Sequence, residues 1–196
     1  MPTTPIRSAV VFCGSRVGHD PEWRDAAMAL GHGMAASGIR LIYGGGRIGL
    51  MGAVADAALA GGGQVTGIIP AFLQAREISH AGVADLIVTY SMHDRKRQMA
   101  EQADAFITMP GGLGTLDETI EIITWRQLDL HDKPILICNV NGWATALLAA
   151  VSSVIDSGFA DAGTRALFEV VPDVPSLLSR LQDLSATAAR PIGSRL

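Results

Sequence analysis

Two short stretches of the chain bring together residue types that could do chemistry in concert. The first is PGGLGTLDE, Pro110 to Glu118. Gly111, Gly112 and Gly114 leave backbone N–H groups unobstructed, and a helix starting behind them would turn its positive end toward a bound phosphate. The carboxylates of Asp117 and Glu118 follow at once. Such a site would hold a phosphate at one end and work on a sugar at the other. Capping is the competing account: Thr115 and Glu118 spell a T-x-x-E box, with Thr115 as N-cap and Glu118 at N3. A cap needs no run of glycines, which favours the anion cradle.

The second stretch is SMHDRKRQMAEQA, beginning at Ser91. With Ser91 as N-cap, Arg95, Lys96 and Arg97 fall in the first turns of a helix. Cations at that end of the dipole typically cost ~0.3–1 kcal/mol each where exposed, and a bound anion would offset the cost. Met92, Arg95, Met99 and Ala103 share one face by helical spacing, so Arg95 is expected to point inward and Arg97 to be solvated.

Elements able to position these groups alternate along the chain. Aliphatic runs read as strands at Ser8–Cys13, Arg40–Tyr43, Gln64–Ile69, Asp85–Tyr90, Ala105–Met109, Pro134–Val140 and Phe168–Val171. Helical stretches lie between them at Pro21–Ser37, Leu50–Ala60, Met92–Ala103, Leu116–Leu130 and Trp143–Ser157, with a last one from about Val174. This predicts an α/β, Rossmann-like, doubly wound and mostly parallel sheet of about seven strands with helices on both faces. One nucleotide-binding domain is expected over residues 1–184, with a flexible tail at 185–196 where apolar periodicity ends. In such a sheet a ligand sits beyond the carboxyl ends of the strands. The segments CGSRVG, YGGGRIGLMG, SMHDRK and PGGLGTLDE leave the strands on that side.

The totals narrow the function. A net charge of −4 gives no overall positive field for nucleic acid or an anionic membrane. Apolar residues are 48% and aromatics 5%, which describes an aliphatic core. Cys13 and Cys138 lie in strand-like runs and read as buried thiols in a reducing compartment. No signal peptide or membrane span is read, so a cytoplasmic location is expected. Neither a Walker A sequence nor metal-ligand spacing is present, and no metal or cofactor is implied.

Gly44 to Gly49, GGGRIG, fits the dinucleotide pattern G-x-G-x-x-G between a strand and a helix. The acid expected about 20 residues on, at the end of the next strand, is absent: the chain there reads GIIPAF, with no carboxylate until Glu77, so tight turns and close helix packing are the better reading. An NAD-dependent oxidoreductase would need that loop to bind nicotinamide dinucleotide.

YGGGRIGLMG, SMHDRK, PGGLGTLDE, ITWRQL and HDKPILICNVNGW occur in this order between about Val10 and Phe159. With them the chain resembles the LOG (Lonely Guy) family of cytokinin riboside 5′-monophosphate phosphoribohydrolases, many of which were long labelled lysine decarboxylases. Pro110 to Glu118 meets every fixed position of the family signature P-G-G-x-G-T-x-x-E. The resemblance implies hydrolysis of the N-glycosidic bond of a nucleoside 5′-monophosphate, cytokinin riboside monophosphate or AMP, to free base and ribose 5-phosphate. It implies a catalytic pair, Arg95 and Glu118. It implies substrate contacts at Ser15, Glu77, Lys96 and Thr124, and along Gly111, Gly112, Leu113, Gly114, Thr115, Leu116 and Asp117. It also implies a homodimer with sites near the subunit interface.

Glycosidic cleavage builds positive charge on the sugar and negative charge on the departing base. Glu118 would serve the sugar side. Arg95 would assist the base or orient the phosphate and Glu118, acting electrostatically because a guanidinium is a poor proton donor. Arg16 stands where a second Ser is common, Leu113 where Tyr is frequent, and Asp117 where Glu is usual.

Two rivals remain. Pyridoxal-phosphate decarboxylation would need a Schiff-base lysine, and Lys96 and Lys133 are the only candidates. A nucleotide-binding carrier resembling the molybdenum cofactor carriers would use the cradle without catalysis.

Overall fold

Short buried strands set the architecture. In a computed structural model describing residues 5–74 and 80–189, seven strands form one sheet in the order β4-β3-β2-β1-β5-β6-β7. All neighbours are parallel. The strands are β1 (Ser8–Phe12), β2 (Arg40–Tyr43), β3 (Val65–Pro70), β4 (Asp85–Thr89), β5 (Ala105–Thr108), β6 (Ile135–Cys138) and β7 (Glu169–Val171). Parallel strands need crossovers, and helices supply most of them: α1 (Pro21–Ala36), α2 (Gly49–Ala60), α3 (Met92–Gln102), α4 (Leu113–Gln127), α5 (Thr145–Asp156) and α6 (Val174–Ala189).

Strand side chains alternate between two cores. Ala9 and Val11 of β1, followed by Cys13, face a layer that includes Leu30 and Met34 of α1, Leu50 and Val54 of α2, and Leu177 and Leu181 of α6. Val10 and Phe12 face the opposite layer, with Met99 of α3, Ile122 and Ile123 of α4, and Leu147 and Leu148 of α5. Phe12 and Phe106 stack there with ring centroids 6.2 Å apart. Most of the remaining core residues are aliphatic, as the composition implies. Helix α2 approaches α1 so closely that a Cβ on Gly31 would overlap the Val54 carbonyl oxygen.

Strand order reverses between β1 and β5, with Ala9 paired to Leu41 on one side and to Ala105 on the other. Chain leaving the carboxyl ends of these two strands diverges, opening a crevice. All seven expected strands form and all six expected helices are present, with ends shifted by a few residues. Helix α6 runs through Ala189, beyond the expected start of the tail at residue 185. None of the described helices is long and apolar enough to cross a membrane.

Candidate active site

The crevice is a cavity of about 710 Å3 at the reversal of strand order, within the size range of small-molecule sites. One wall is the turn after β1. Gly14 N–H donates to the Pro110 carbonyl at 3.0 Å, tying that turn to the loop after β5. The Gly14 carbonyl accepts from the N–H groups of Leu50 and Met51 at 2.9 and 3.2 Å, so the first turn of α2 closes over it. The two loops touch so closely that a Cβ on Gly14 would sit 3.2 Å from Gly111 Cα.

The floor is Gly111 to Thr115. Helix α4 begins at Leu113 with Gly112 as N-cap and no capping side chain. The T-x-x-E capping box therefore does not form. Thr115 lies inside the first turn, and its buried side chain fills the space a Cβ on Gly111 would need. Leu116 N–H closes the first helical bond to the Gly112 carbonyl at 3.1 Å. The N–H groups of Leu113, Gly114 and Thr115 precede that bond and have no acceptor within the helix. The result is a positive helix end, bare of side chains at Gly112 and Gly114, turned toward the cavity. Trp143, which follows β6, props this loop by donating its indole N–H to the Gly111 carbonyl at 3.1 Å.

Arg95 and Glu118 approach across the cavity. Ser91 caps α3 as expected, accepting from Asp94 N–H at 3.0 Å. Arg95 one turn later is 5% exposed and points inward beside Met99. Its Nε donates to the Ile68 carbonyl at 3.1 Å and its Nη2 to the Gly44 carbonyl at 3.4 Å. The same Nη2 lies 3.9 Å from Glu118 Oε1, on a side chain 11% exposed. That is an ion pair at the outer limit of contact, in surroundings that strengthen its field. Burial, and secondarily the Glu118 charge, push the Cys13 thiol far above its ordinary range.

Of the residues singled out from sequence, Ser15, Arg95, Gly111, Gly112, Leu113, Gly114, Thr115, Asp117 and Glu118 line the cavity. Lys96 lies beside it, bridging α3 to α4 through Asp117 Oδ2 at 2.6 Å and Glu121 Oε2 at 3.1 Å. Leu116 follows the floor but is not among the residues that line the cavity. Thr124 is exposed two turns further along α4, its hydroxyl donating to the Ile120 carbonyl at 2.8 Å. Glu77 lies outside the described residues.

Gly44 to Gly49 does not line the cavity; the loop serves packing. Gly45 and Gly49 adopt φ of +76° and +67°, and side chains at Gly44 and Gly49 would strike Arg95 and Ser15. Met51 and Leu73 add apolar wall, with Trp23 and Trp143 nearby. Sequence reasoning placed Met51 within the candidate segment YGGGRIGLMG but missed Leu73, Trp23 and Trp143. The position of Trp143 just beyond the carboxyl end of a strand was the one available signal.

A family model described as "Possible lysine decarboxylase" matches residues 51–181. The "Probable cytokinin riboside 5'-monophosphate phosphoribohydrolase LOGL9" of Oryza sativa subsp. japonica is 45% identical over 178 residues, covering 91% of this chain and 78% of that protein. The chain belongs to the LOG family. LOG2 of Arabidopsis thaliana, a cytokinin riboside 5′-monophosphate phosphoribohydrolase, is 42% identical over 178 residues, covering 91% of this chain and 84% of its own. The LOG signature in this chain is thus the β5–α4 turn itself: its glycines form the loop and Glu118 stands one turn into the helix. Among solved structures, the Moco carrier protein of Chlamydomonas reinhardtii superposes with a TM-score of 0.69 at 21% identity, over 94% of this chain and 99% of that one. The molybdenum cofactor binding protein of Rippkaea orientalis gives 0.67 at 19%, over 92% and 97%. At these identities the two likenesses concern the fold alone.

Proposed function

We propose that the protein hydrolyses the N-glycosidic bond of adenosine-type nucleoside 5′-monophosphates, cytokinin riboside monophosphate or AMP, releasing free base and ribose 5-phosphate. The observation that carries this reading is the ion pair of Arg95 and Glu118 at 3.9 Å, beside a helix N-terminus bare of side chains. The 5′-phosphate accepts from the N–H groups around Gly112 to Thr115. The ribose then lies along the first turn of α4, within reach of Glu118. As the bond to the base lengthens, the carboxylate stabilises the oxocarbenium-like sugar and orients the water that adds to it. Arg95, fixed by two backbone carbonyls, supplies a field that favours charge on the leaving base and holds Glu118 in place. One water is consumed: its hydroxyl joins the sugar and its proton goes to the base. The names of the relatives at 45% and 42% identity support this chemistry.

Further parts of the reading rest on surface and packing. A homodimer is supported by the outward apolar side chains at the end of α4, where Leu128 and Leu130 are 63% and 67% exposed. Thr124 on the same helix would then meet substrate from the neighbouring subunit. Lys96 contributes to substrate binding through the carboxylates it holds. A cytoplasmic location is supported by two buried, free cysteines.

The test is product analysis after incubation with AMP, isopentenyladenosine monophosphate and adenosine. Base release from a monophosphate but not from adenosine is the expected result. No release by folded protein would overturn the hydrolase reading in favour of a carrier.

A further inference from the structure

The charges facing the cavity are unequally matched. Arg16, Arg95, Asp117 and Glu118 all line it. The Arg95 charge is opposed by Glu118, and Asp117 is held by Lys96, which also binds Glu121. Arg16 is different. It is exposed at the cavity wall and, among the described residues, enters no ion pair. A nucleoside monophosphate brings roughly −1.5 to −2 charges on its phosphate near neutral pH. The helix N-terminus offers only about half a positive charge.

The backbone beneath Arg16 is fixed. The Gly14 carbonyl is gripped by two N–H groups of α2, and Gly14 N–H is bonded to Pro110. Gly49, at φ +67°, presses on the Ser15 carbonyl and Arg16 N with no room for a side chain. The turn carrying Arg16 is therefore wedged between α2 and the glycine loop, two residues from the point where Gly14 abuts Gly111. A guanidinium there can fold over the open side of the cradle and donate in pairs to phosphate oxygens.

We infer that Arg16 is a ligand of the substrate's 5′-phosphate, closing the side of the cradle that the α4 N-terminus leaves open. This rests on the proposed phosphate site but not on turnover. It makes Arg16 a residue of affinity and phosphate recognition rather than of bond cleavage.

Calorimetric binding of AMP and of ribose 5-phosphate to wild type, Arg16→Ser and Arg16→Lys tests it. Loss of a charge-assisted pair at a partly wet site is expected to weaken both ligands about tenfold in Arg16→Ser. Arg16→Lys should recover part of the loss, and most of the kinetic defect should fall on KM rather than kcat. Ribose 5-phosphate affinity within twofold of wild type in Arg16→Ser would overturn the inference, because an Arg16 contact to the base would spare that ligand. Arg16-dependent binding without base release would uphold it while removing the hydrolase reading.

Discussion

The guanidinium of Arg95 occupies the space that a side chain at Gly44 would fill. A Cβ there would overlap Nη2, and would stand 2.9 Å from Met51 Sδ. The two residues are 51 positions apart, yet Gly44 both makes room for Arg95 and accepts from it. Gly44→Ala should therefore displace the guanidinium from its place beside Glu118 while the backbone, not in the positive-φ region, tolerates the change. Displacing a charge by about 1 Å can cost ~100-fold in rate. Steady-state kinetics should show a loss of that order with a thermal midpoint within a few degrees of wild type. Normal turnover by folded Gly44→Ala would mean that the position of Arg95 does not matter.

Glu118→Gln keeps the shape and removes the charge. Loss of one preorganised electrostatic group typically costs ~10²–10³ in kcat, and a loss of that size is expected, with AMP binding retained. Asp117→Asn provides the contrast. Its carboxylate is 63% exposed and engaged by Lys96, so its effect on kcat should stay below about tenfold. Comparable defects in the two variants would argue that Glu118 has no special part.

Much of this was legible in the sequence because the signals were local. Consecutive apolar residues marked strands covered on both faces, and Met92, Met99 and Ala103 showed that Arg95 must turn inward. The start of α4 was misjudged by three residues for a physical reason. T-x-x-E describes a cap equally well inside a helix, and only the fit of Thr115 beneath Gly111 decides which turn it occupies. What holds Arg95 was not legible, since Ile68 and Gly44 reach it through sheet pairing rather than sequence proximity. Trp143 was hidden likewise: it joins the site from β6, two strands from β1.

Buried hydroxyls tie α4 to the sheet beneath the site. Thr119 Oγ1 donates to the Thr115 carbonyl at 2.6 Å and lies 2.9 Å from Thr108 Oγ1 on β5. Thr119→Val leaves the Thr108 hydroxyl buried without this partner, at an expected cost of about 1–2 kcal/mol. For a chain of this size that is a fall of roughly 2–8 °C in Tm. Adding Thr108→Val should restore part of it. If the double variant were no more stable than the additive expectation, the hydroxyl pair would not be coupled.

Lys96 gives a pH-dependent link between α3 and α4. Burial alone would lower its ammonium, but the hydrogen bonds and charges of Asp117 and Glu121 outweigh burial and raise it above 10.5. A group raised on folding contributes stability in full below its unfolded value and loses it as pH rises through the folded one. The clasp should therefore be intact at neutral pH and fail only above about 10.5. With Asp117 largely exposed, Lys96→Met should cost only about 0.5–1 kcal/mol at pH 7. Thermal melts of both proteins should converge only as pH rises beyond 10.5 and through the higher folded value. A difference that persisted once the folded ammonium had titrated would mean the lysine stem, not its charge, joins the helices.

Cys13 lines the cavity yet should be chemically quiet. It is 7% exposed, and burial is the larger cause of its raised thiol, with the neighbouring Glu118 carboxylate second. Cys138, wholly buried in β6, is pushed up to about 12. Only the thiolate reacts readily with iodoacetamide, so at pH 8 the folded protein should remain unmodified at both sites. The unfolded chain should take up two equivalents, counted by intact mass. Because burial is the larger cause, Glu118→Gln should leave Cys13 as unreactive as in wild type. Rapid alkylation of Cys13 in that variant alone would instead make the carboxylate the group that keeps the thiol protonated, and would place its charge closer to the cavity wall than the Arg95 pair implies.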